Sequence, residues 1–389
     1  MLFSVQSSTK VQALDHLDAA TLRQVTAFLA NRTDARVLLI KDPRPFPLLD
    51  KVLAEFVEPA RMRVDDRIVP NPQTADIMAM VADARVFAPD LVLGIGGGSA
   101  LDSAKAVCAM AGHEGDLDDY LGPHATRKLE RRGAKLLLVP TTCVTGAEVT
   151  KFGVYTARSG RKYSLGSPLL QADLALLVAA LVADIPPALL ASTAYDAMTH
   201  ALETLWNKNA TPVSDLLATD ALVNLLRFFQ PAYDARKAGR SEGTAELLAA
   251  ACAAGVAFNN TGTAAIHALS FILSEEWHVP HGAACAFFTE DVFAFNAVDP
   301  RVRPKLEAVA NQLWPRAAEP VKRLADELLR LKVHTGLPCR FADIAGAGVL
   351  TDARLAELFD KCQTDFKLLN NVPPMGVEAV RQLVGAKRT

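Results

Sequence analysis

The chain has 389 residues, 50% of them hydrophobic and 22% charged, with a formal net charge of −2 at pH 7. That length supports two domains with substantial cores, and the near-neutral balance without a basic run excludes nucleic acid and anionic membrane surfaces as expected partners. Six cysteines, at positions 108, 143, 252, 285, 339 and 362, are scattered without a C-x-x-C pair, which fits reduced thiols in a cytoplasmic protein.

Met1-Leu2-Phe3-Ser4-Val5 lacks the basic start and long apolar core of a signal peptide. The first half alternates short apolar runs with amphipathic segments: a strand over residues 36–40, a helix over 49–56, strands over 91–95 and 135–139. Such alternation predicts a mostly parallel sheet flanked by helices. Residues 169–190 are apolar, but Asp173, Asp184 and Pro186-Pro187 interrupt them before they reach a bilayer span. From Pro186 onward helical periodicity dominates, through 218–229, 245–258, 306–314 and 321–331. The expected organisation is an α/β domain over residues 1–185 and an all-helical domain over 186–389.

Two motifs carry chemistry. The first runs Leu91-Val92-Leu93-Gly94-Ile95-Gly96-Gly97-Gly98-Ser99, then Asp102 and Lys105: an apolar strand, consecutive glycines, a capping serine and a helix. Glycines let backbone N–H groups approach an anion, and the helix start adds unpaired donors and the positive end of its dipole. Ser99 stands where a dinucleotide G-x-G-x-x-G would have its third glycine, and the Walker ending is missing. The second motif is Asp196 and His200, four residues apart on a helix that Ser192 or Thr193 caps, joined by His267 in an Ala-rich helical stretch and by His281 in the Pro280-His281-Gly282 turn. A carboxylate and three imidazoles suit iron or zinc, and with no cysteine near the first three the site reads as chemical rather than structural.

Gly96 through Lys105 resembles the Gly-Gly-Gly-Ser-x-x-Asp-x-x-Lys hallmark of the iron-containing (group III) alcohol dehydrogenases. The resemblance continues through Pro140-Thr141-Thr142-Cys143-Val144-Thr145-Gly146-Ala147-Glu148, the Asp196–His200 helix and the His267 to His281 pair. It implies a Rossmann-like nucleotide domain followed by a helical metal-binding domain, with the active site in the cleft between them, as in the dehydroquinate synthase-like architecture. By this likeness Asp196, His200, His267 and His281 are the metal ligands. Gly96, Gly97, Gly98, Ser99 and Asp102 belong to the pyrophosphate turn, and Thr141, Thr142 and Thr145 line the cofactor. Lys162 corresponds to a lysine at the nicotinamide-side ribose, although Gly160-Arg161-Lys162 also reads as a solvated loop tip. Asp42 and Asn71 fall near the adenosine, with turn chemistry as the plain alternative for both. A carboxylate at Asp42 leans toward NAD over NADP. The implied reaction is hydride exchange between the nicotinamide and a small alcohol or aldehyde, with Fe(II) or Zn(II) as Lewis acid.

Three positions depart from the family pattern. Phe271 replaces a proton-relaying histidine, which makes His278 a candidate relay; Val144 and Ala147 replace Gly and Ser in the threonine loop; Val178-Ala179 replaces Asp-Pro. The segments 160–164, 207–212 and 267–271 look like members that reduce phosphonoacetaldehyde or related anionic aldehydes, for which Arg158, Arg161 and Lys208 are the cations to consider. A short-chain alcohol or diol dehydrogenase stands beside that reading. So do a cyclase of the dehydroquinate synthase type, against which the ligand set speaks, and a non-catalytic nucleotide- and metal-binding protein. The family also implies a homodimer, with residues 1–5 as an edge strand for a second chain.

Overall fold

The computed structural model describes residues 8–56, 59–143, 145–348, 350–362 and 365–387, so residues 1–5 and Val144 lie outside the described residues. One compact unit ends at Ile185 and the second begins at Pro186.

The first unit runs β1 (Lys10–Leu14), α1 (Ala19–Ala30), β2 (Val37–Lys41), α2 (Pro47–Phe56), β3 (Met62–Asp65), α3 (Thr74–Phe87), β4 (Leu91–Gly96), α4 (Gly98–Met110), β5 (Lys135–Pro140), β6 (Phe152–Thr156), β7 (Lys162–Gly166), β8 (Leu174–Val178) and α5 (Ala179–Val182). Six of the strands form a parallel sheet in the order β1-β8-β5-β4-β2-β3, and β6 and β7 make a separate antiparallel ribbon. Apart from Lys41 and Lys135 at strand ends, the central strands are apolar throughout because both faces are covered. Leu38, Ile40, Val92, Leu136 and Leu138 face one core with residues of α3 and α4. Their alternates Val37, Leu39, Leu91, Leu93, Leu137 and Val139 face a second core with residues of α1 and α2. Lys41 pairs with Ile95 and Gly96 with Pro140. The carboxyl ends of β2, β4 and β5 therefore align, the edge at which open α/β sheets bind ligands.

The second unit is helical: α6 (Pro187–Leu205), α7 (Pro212–Lys237), α8 (Thr244–Thr261), α9 (Ala265–Trp277), α10 (His281–Asn296), α11 (Arg303–Leu313), α12 (Pro320–His334), α13 (Asp352–Cys362) and α14 (Val377–Ala386). Helix α6 is buried on all sides from Ala194 to Leu205, as a helix at the centre of a bundle must be, and it packs against α7, α8 and α10. Among the described residues no helix is long and apolar enough to cross a membrane.

Local starts differ from expectation in three places. Helix α6 begins at Pro187, whose fixed φ and missing N–H suit a first helical position, so neither Ser192 nor Thr193 is its cap. Thr193 Oγ1 instead donates back to Leu189 O at 2.7 Å. Helix α4 is capped by the backbone of Gly97, with Ser99 inside the first turn rather than at the cap. His281 is the first residue of α10, after Pro280 at the cap, and not part of a turn.

Candidate functional site

The glycine turn expected to take a nucleotide is built from the aligned strand ends. Gly96 has φ +155°, and a Cβ there would stand 2.6 Å from Ala100 Cβ, so glycine lets β4 run directly into α4. No side chain caps α4, which leaves its first N–H groups available to an anion. The threonine loop lies alongside: a Cβ at Gly97 would be 3.5 Å from Thr142 Cγ2, and one at Gly98 would be 3.3 Å from Thr145 Cγ2. Thr141 N donates to Gly96 O at 2.9 Å, and its buried Oγ1 finds no partner among the described residues. Asp42 follows β2 beside Gly96 and pairs with Arg44 at 3.0 Å. Asn71, at φ +58°, accepts from Lys162 Nζ at 2.7 Å through Oδ1, which joins two residues 91 positions apart.

Asp102 has a structural task. Its carboxylate accepts from Lys105 Nζ at 3.3 Å and from Val154 N at 2.9 Å, tying α4 to β6. Lys105 is fully buried and also donates to Phe152 O at 2.6 Å and Thr150 Oγ1 at 3.3 Å. Burial lowers its ammonium against the pull of Asp102, and burial raises the neighbouring Glu148 carboxyl to about 7.

In the helical unit, α6 carries Asp196 and His200, α9 carries His267 in its first turn, and α10 opens with His281. Three imidazoles converge on one oxygen of Asp196. Asp196 Oδ1 lies 3.5 Å from His267 Nε2, 3.6 Å from His281 Nε2 and 3.9 Å from His200 Nε2. Asp196 Oδ1 and His267 Nε2 are buried and find no hydrogen-bond partner among the described residues. Such orphaned polar atoms are costly unless something fills the space between them, and a cation facing one carboxylate oxygen and imidazole nitrogens fits. Burial works against the charge of Asp196, but His200, His281 and His267 outweigh it and hold the carboxyl well below the usual carboxylate range. Burial pushes the His200 imidazole down to about 3, which keeps it neutral, the form that binds metal.

Three residues beyond the expected set complete the centre. Glu203 Oε2 accepts from His267 Nδ1 at 2.7 Å, and the same carboxylate takes the backbone N–H groups of Ala264 and His267. This fixes the tautomer whose Nε2 lone pair faces Asp196. Cys285, one helical turn after His281, joins Asp196, His267 and His281 in a cluster whose ligand atoms all lie within 4.8 Å of one another. Burial raises its thiol, yet His267 and His281 outweigh burial and bring it down to about 7. Lys367, 5% exposed, holds its ammonium 4.0 Å from the Phe271 ring centroid, and that ring lies 6.2 Å from the His281 ring.

The family model for iron-containing alcohol dehydrogenase matches residues 16–178, and the model for the C-terminal part of the Fe-containing alcohol dehydrogenase family matches residues 190–387. The chain belongs to the iron-containing alcohol dehydrogenase family. It is thus an oxidoreductase, and the family assignment decides against the cyclase and non-catalytic alternatives. Long-chain-alcohol dehydrogenase 1 of Geobacillus thermodenitrificans is 32% identical over 331 residues, covering 84% of this chain and 83% of that one. A sulfoacetaldehyde reductase of Bilophila wadsworthia is 30% identical over 316 residues, 78% of each chain. The fold is shared with the crystal structure of sulfoacetaldehyde reductase from Bifidobacterium kashiwanohense in complex with NAD+, at TM-score 0.87 and 22% identity, over 100% of this chain and 99% of that one.

Within this iron-containing alcohol dehydrogenase, His278 is the left-handed C-cap of α9, with φ +53° and an exposed ring. Arg161 and Lys208 are exposed, and Arg158 pairs with Asp116 at 2.6 Å. None of these three cations belongs to the metal cluster, whereas Lys367, which sequence reasoning passed over, lies against Phe271, whose ring neighbours that of His281. Glu203 had a readable signal: 196, 200 and 203 share one face at i, i+4 and i+7. Glu203→Gln, which keeps shape but removes the charge behind His267, is expected to weaken metal affinity by roughly 10–100-fold. Equilibrium dialysis against zinc checks this, and unchanged affinity would sink the orienting role.

Proposed function

We propose that the enzyme reduces small aldehydes, and oxidises the matching alcohols, with NAD(H) and a divalent metal held by Asp196, His200, His267 and His281. The observation that carries this reading is the convergence of three imidazole nitrogens on Asp196 Oδ1, with that oxygen and His267 Nε2 buried and unpartnered. Fe(II) or Zn(II) there supplies Lewis acidity that lowers the pKa of an alcohol and polarises a carbonyl. The chain's own groups do the positioning. Gly96, Gly97, Gly98 and Ser99 at the start of α4 take the pyrophosphate, with Thr141, Thr142 and Thr145 alongside and Asp102 bracing the turn. Asn71 and Lys162 form one polar pair for the cofactor. Asp42 offers its carboxylate to the adenosine ribose, while its partner Arg44 puts a cation near a 2'-phosphate, so use of NADP is a measured question of the same site. With Phe271 beside His281 and the backbone of His278 forming the C-cap of α9 while its ring is exposed and outside the metal cluster, we assign proton exchange to water on the open side of His281, whose side chain is 33% exposed.

For the substrate we propose a small aldehyde bearing an anionic group, with Lys367 as the cation that favours it. An ammonium buried over a ring that neighbours His281, and shared with Asp365, offers an anion a charge-assisted contact. Lys367→Met is expected to raise KM for sulfoacetaldehyde or phosphonoacetaldehyde about 10–100-fold while leaving propanal within about threefold. Equal losses on both substrates would assign Lys367, which also pairs with Asp365 at 3.1 Å, to folding alone.

The testing experiment is NADH oxidation by metal-free protein reconstituted separately with Fe(II) and Zn(II), against these aldehydes, with His267→Ala as control. Metal-dependent turnover that the variant lacks supports the reading; stoichiometric metal and nucleotide binding without turnover overturns it. We also propose a cytoplasmic homodimer, the dimer supported by the family likeness and the compartment by cysteines scattered without a C-x-x-C pair. Light scattering of the intact protein tests the dimer.

A further inference from the structure

We propose that Asn370 is a positioning residue for His267: its side-chain amide, with those of Asn207 and Asn209, clamps the turn between α8 and α9 and so fixes where α9 presents its imidazole. The inference rests on the metal-binding reading above and keeps Asp196, His200, His267 and His281 as the ligands. Helix α9 has no side-chain cap of its own, since Ala264 occupies the N-cap position, and its first N–H groups therefore need acceptors from elsewhere. Glu203 on α6 accepts from Ala264 N at 2.7 Å and from His267 N at 3.1 Å, the two N–H groups that a capping box satisfies. The carbonyls just before α9 are held from outside in the same way. Asn209 Nδ2 donates to Thr261 O at 3.1 Å, Asn207 Nδ2 to Gly262 O at 3.1 Å and Asn370 Nδ2 to Thr263 O at 3.0 Å. Three consecutive carbonyls and the next N–H are thus tied to side chains from other stretches of the chain.

Asn370 has the leading place because the 3-10 turn that carries it, Phe366–Asn370, reaches α9 on both sides of the ligand. Thr263 stands four residues before His267 and Phe271 four after it, and the Phe271 ring lies under Lys367 Nζ of the same turn. The turn is anchored independently of α9. Asn370 O accepts from Lys208 N at 2.8 Å, and the fully buried Asn371 exchanges amide hydrogen bonds of 2.7 and 3.1 Å with Asn296, the last residue of α10. A neutral amide suits the task, because it satisfies a carbonyl near the ligand cluster without adding charge there. An aspartate of the same shape would set an oxygen against Thr263 O and lose the contact.

The test is equilibrium dialysis of zinc against the full-length wild type, Asn370→Asp and Asn370→Gln, with the visible absorption of the cobalt-loaded proteins and melts of the metal-free ones. Asn370→Asp is expected to bind zinc about 10–100-fold more weakly and to shift the cobalt bands, which follow ligand geometry rather than fold stability. Asn370→Gln keeps the amide and is expected to recover most of the loss. Wild-type zinc affinity and cobalt bands in Asn370→Asp, whatever its Tm, overturn the inference, assign the amide to folding alone and leave the metal-binding reading intact. A wild type that takes up no zinc overturns both. Should Asn370→Asp fail to fold, Asn209→Ala decides at an exposed position: an affinity loss of at least about threefold supports the clamp, and wild-type affinity overturns it.

Discussion

Asp196→Asn is expected to abolish metal retention and lower kcat/KM for any accepted aldehyde by about a thousandfold or more. Asp196 Oδ1 is the atom on which all three imidazoles converge, so the amide removes the one negative charge at the centre of the ligand set. A buried divalent ion without a compensating anion meets the full desolvation penalty of its charge. Lewis-acid assistance is worth several kcal/mol of the barrier, and each 1.36 kcal/mol is tenfold in rate. The change at Asp196 is nearly isosteric, so loss of packing does not confuse the result. Thermal melts separate binding from chemistry: zinc at a hundred times its Kd adds about 2.7 kcal/mol to a protein that binds it only when folded. The wild type is expected to gain that increment and the variant none. A variant that retained the full zinc-dependent rise in Tm would show that the ion is held elsewhere.

The parts that sequence made legible are those whose signal is local and one-dimensional. Residues 37–40, 91–95 and 136–139 are apolar at every position, and in the sheet every one of these positions is buried, one alternate set against α1 and α2 and the other against α3 and α4. The Gly96-Gly97-Gly98 turn was equally legible, because a strand that enters a helix this tightly leaves no room for a Cβ at Gly96. Strand β1 escaped notice for the opposite reason: Lys10 to Leu14 is largely exposed at the sheet edge, and its short alternation of Val11 and Ala13 with Lys10 and Gln12 marks no buried face. Helix starts were misjudged where a backbone cap or a proline did the work of a side chain, at Gly97 and at Pro186-Pro187.

The second layer of the metal centre is a matter of three dimensions. Glu203 belongs to the centre only because the first turn of α9 comes to lie against α6, where one carboxylate collects two backbone donors and the His267 ring. Lys367 reaches Phe271 from nearly a hundred residues away in sequence. Spacing within a helix is visible in a string of residues; packing between helices is not. Cys285 lies between these cases. Its i+4 relation to His281 was visible, but nothing in the sequence told whether that face of α10 looked toward Asp196.

Packing between helices also makes a residue with no side chain decisive. Gly282→Ala is expected to lower Tm by several degrees and weaken metal binding at least about tenfold, although Gly282 touches no metal. A methyl group at this position would overlap the carbonyl of Ser192 on α6. Backbone cannot swing aside as the end of a flexible side chain can, so α10 would have to lift away from α6. The contact is pinned from both sides, since Ala283 N donates to Ser192 Oγ at 3.1 Å. Overpacking of this kind costs about 1–3 kcal/mol, which for a unit of this size is roughly 2–12 °C in Tm. The proposed ligands are immediate neighbours: His281 precedes Gly282, and Asp196 lies one turn after Ser192 on α6. Any separation of the two helices therefore pulls His281 from Asp196 Oδ1, now 3.6 Å apart, and metal sites tolerate errors of only about half an ångström. Gly385→Ala is the matched control, because a Cβ there meets nothing within 4 Å and the residue sits inside α14, where alanine is expected to add about 0.5–1 kcal/mol of stability. Paired melts of the two variants give opposite signs, and zinc dialysis shows a loss for Gly282→Ala alone, if the α6–α10 approach is what sets the ligand geometry. If Gly282→Ala melts and binds zinc like the wild type, the helices yield more readily than their contact implies, and the centre is held by its ligands rather than by its packing.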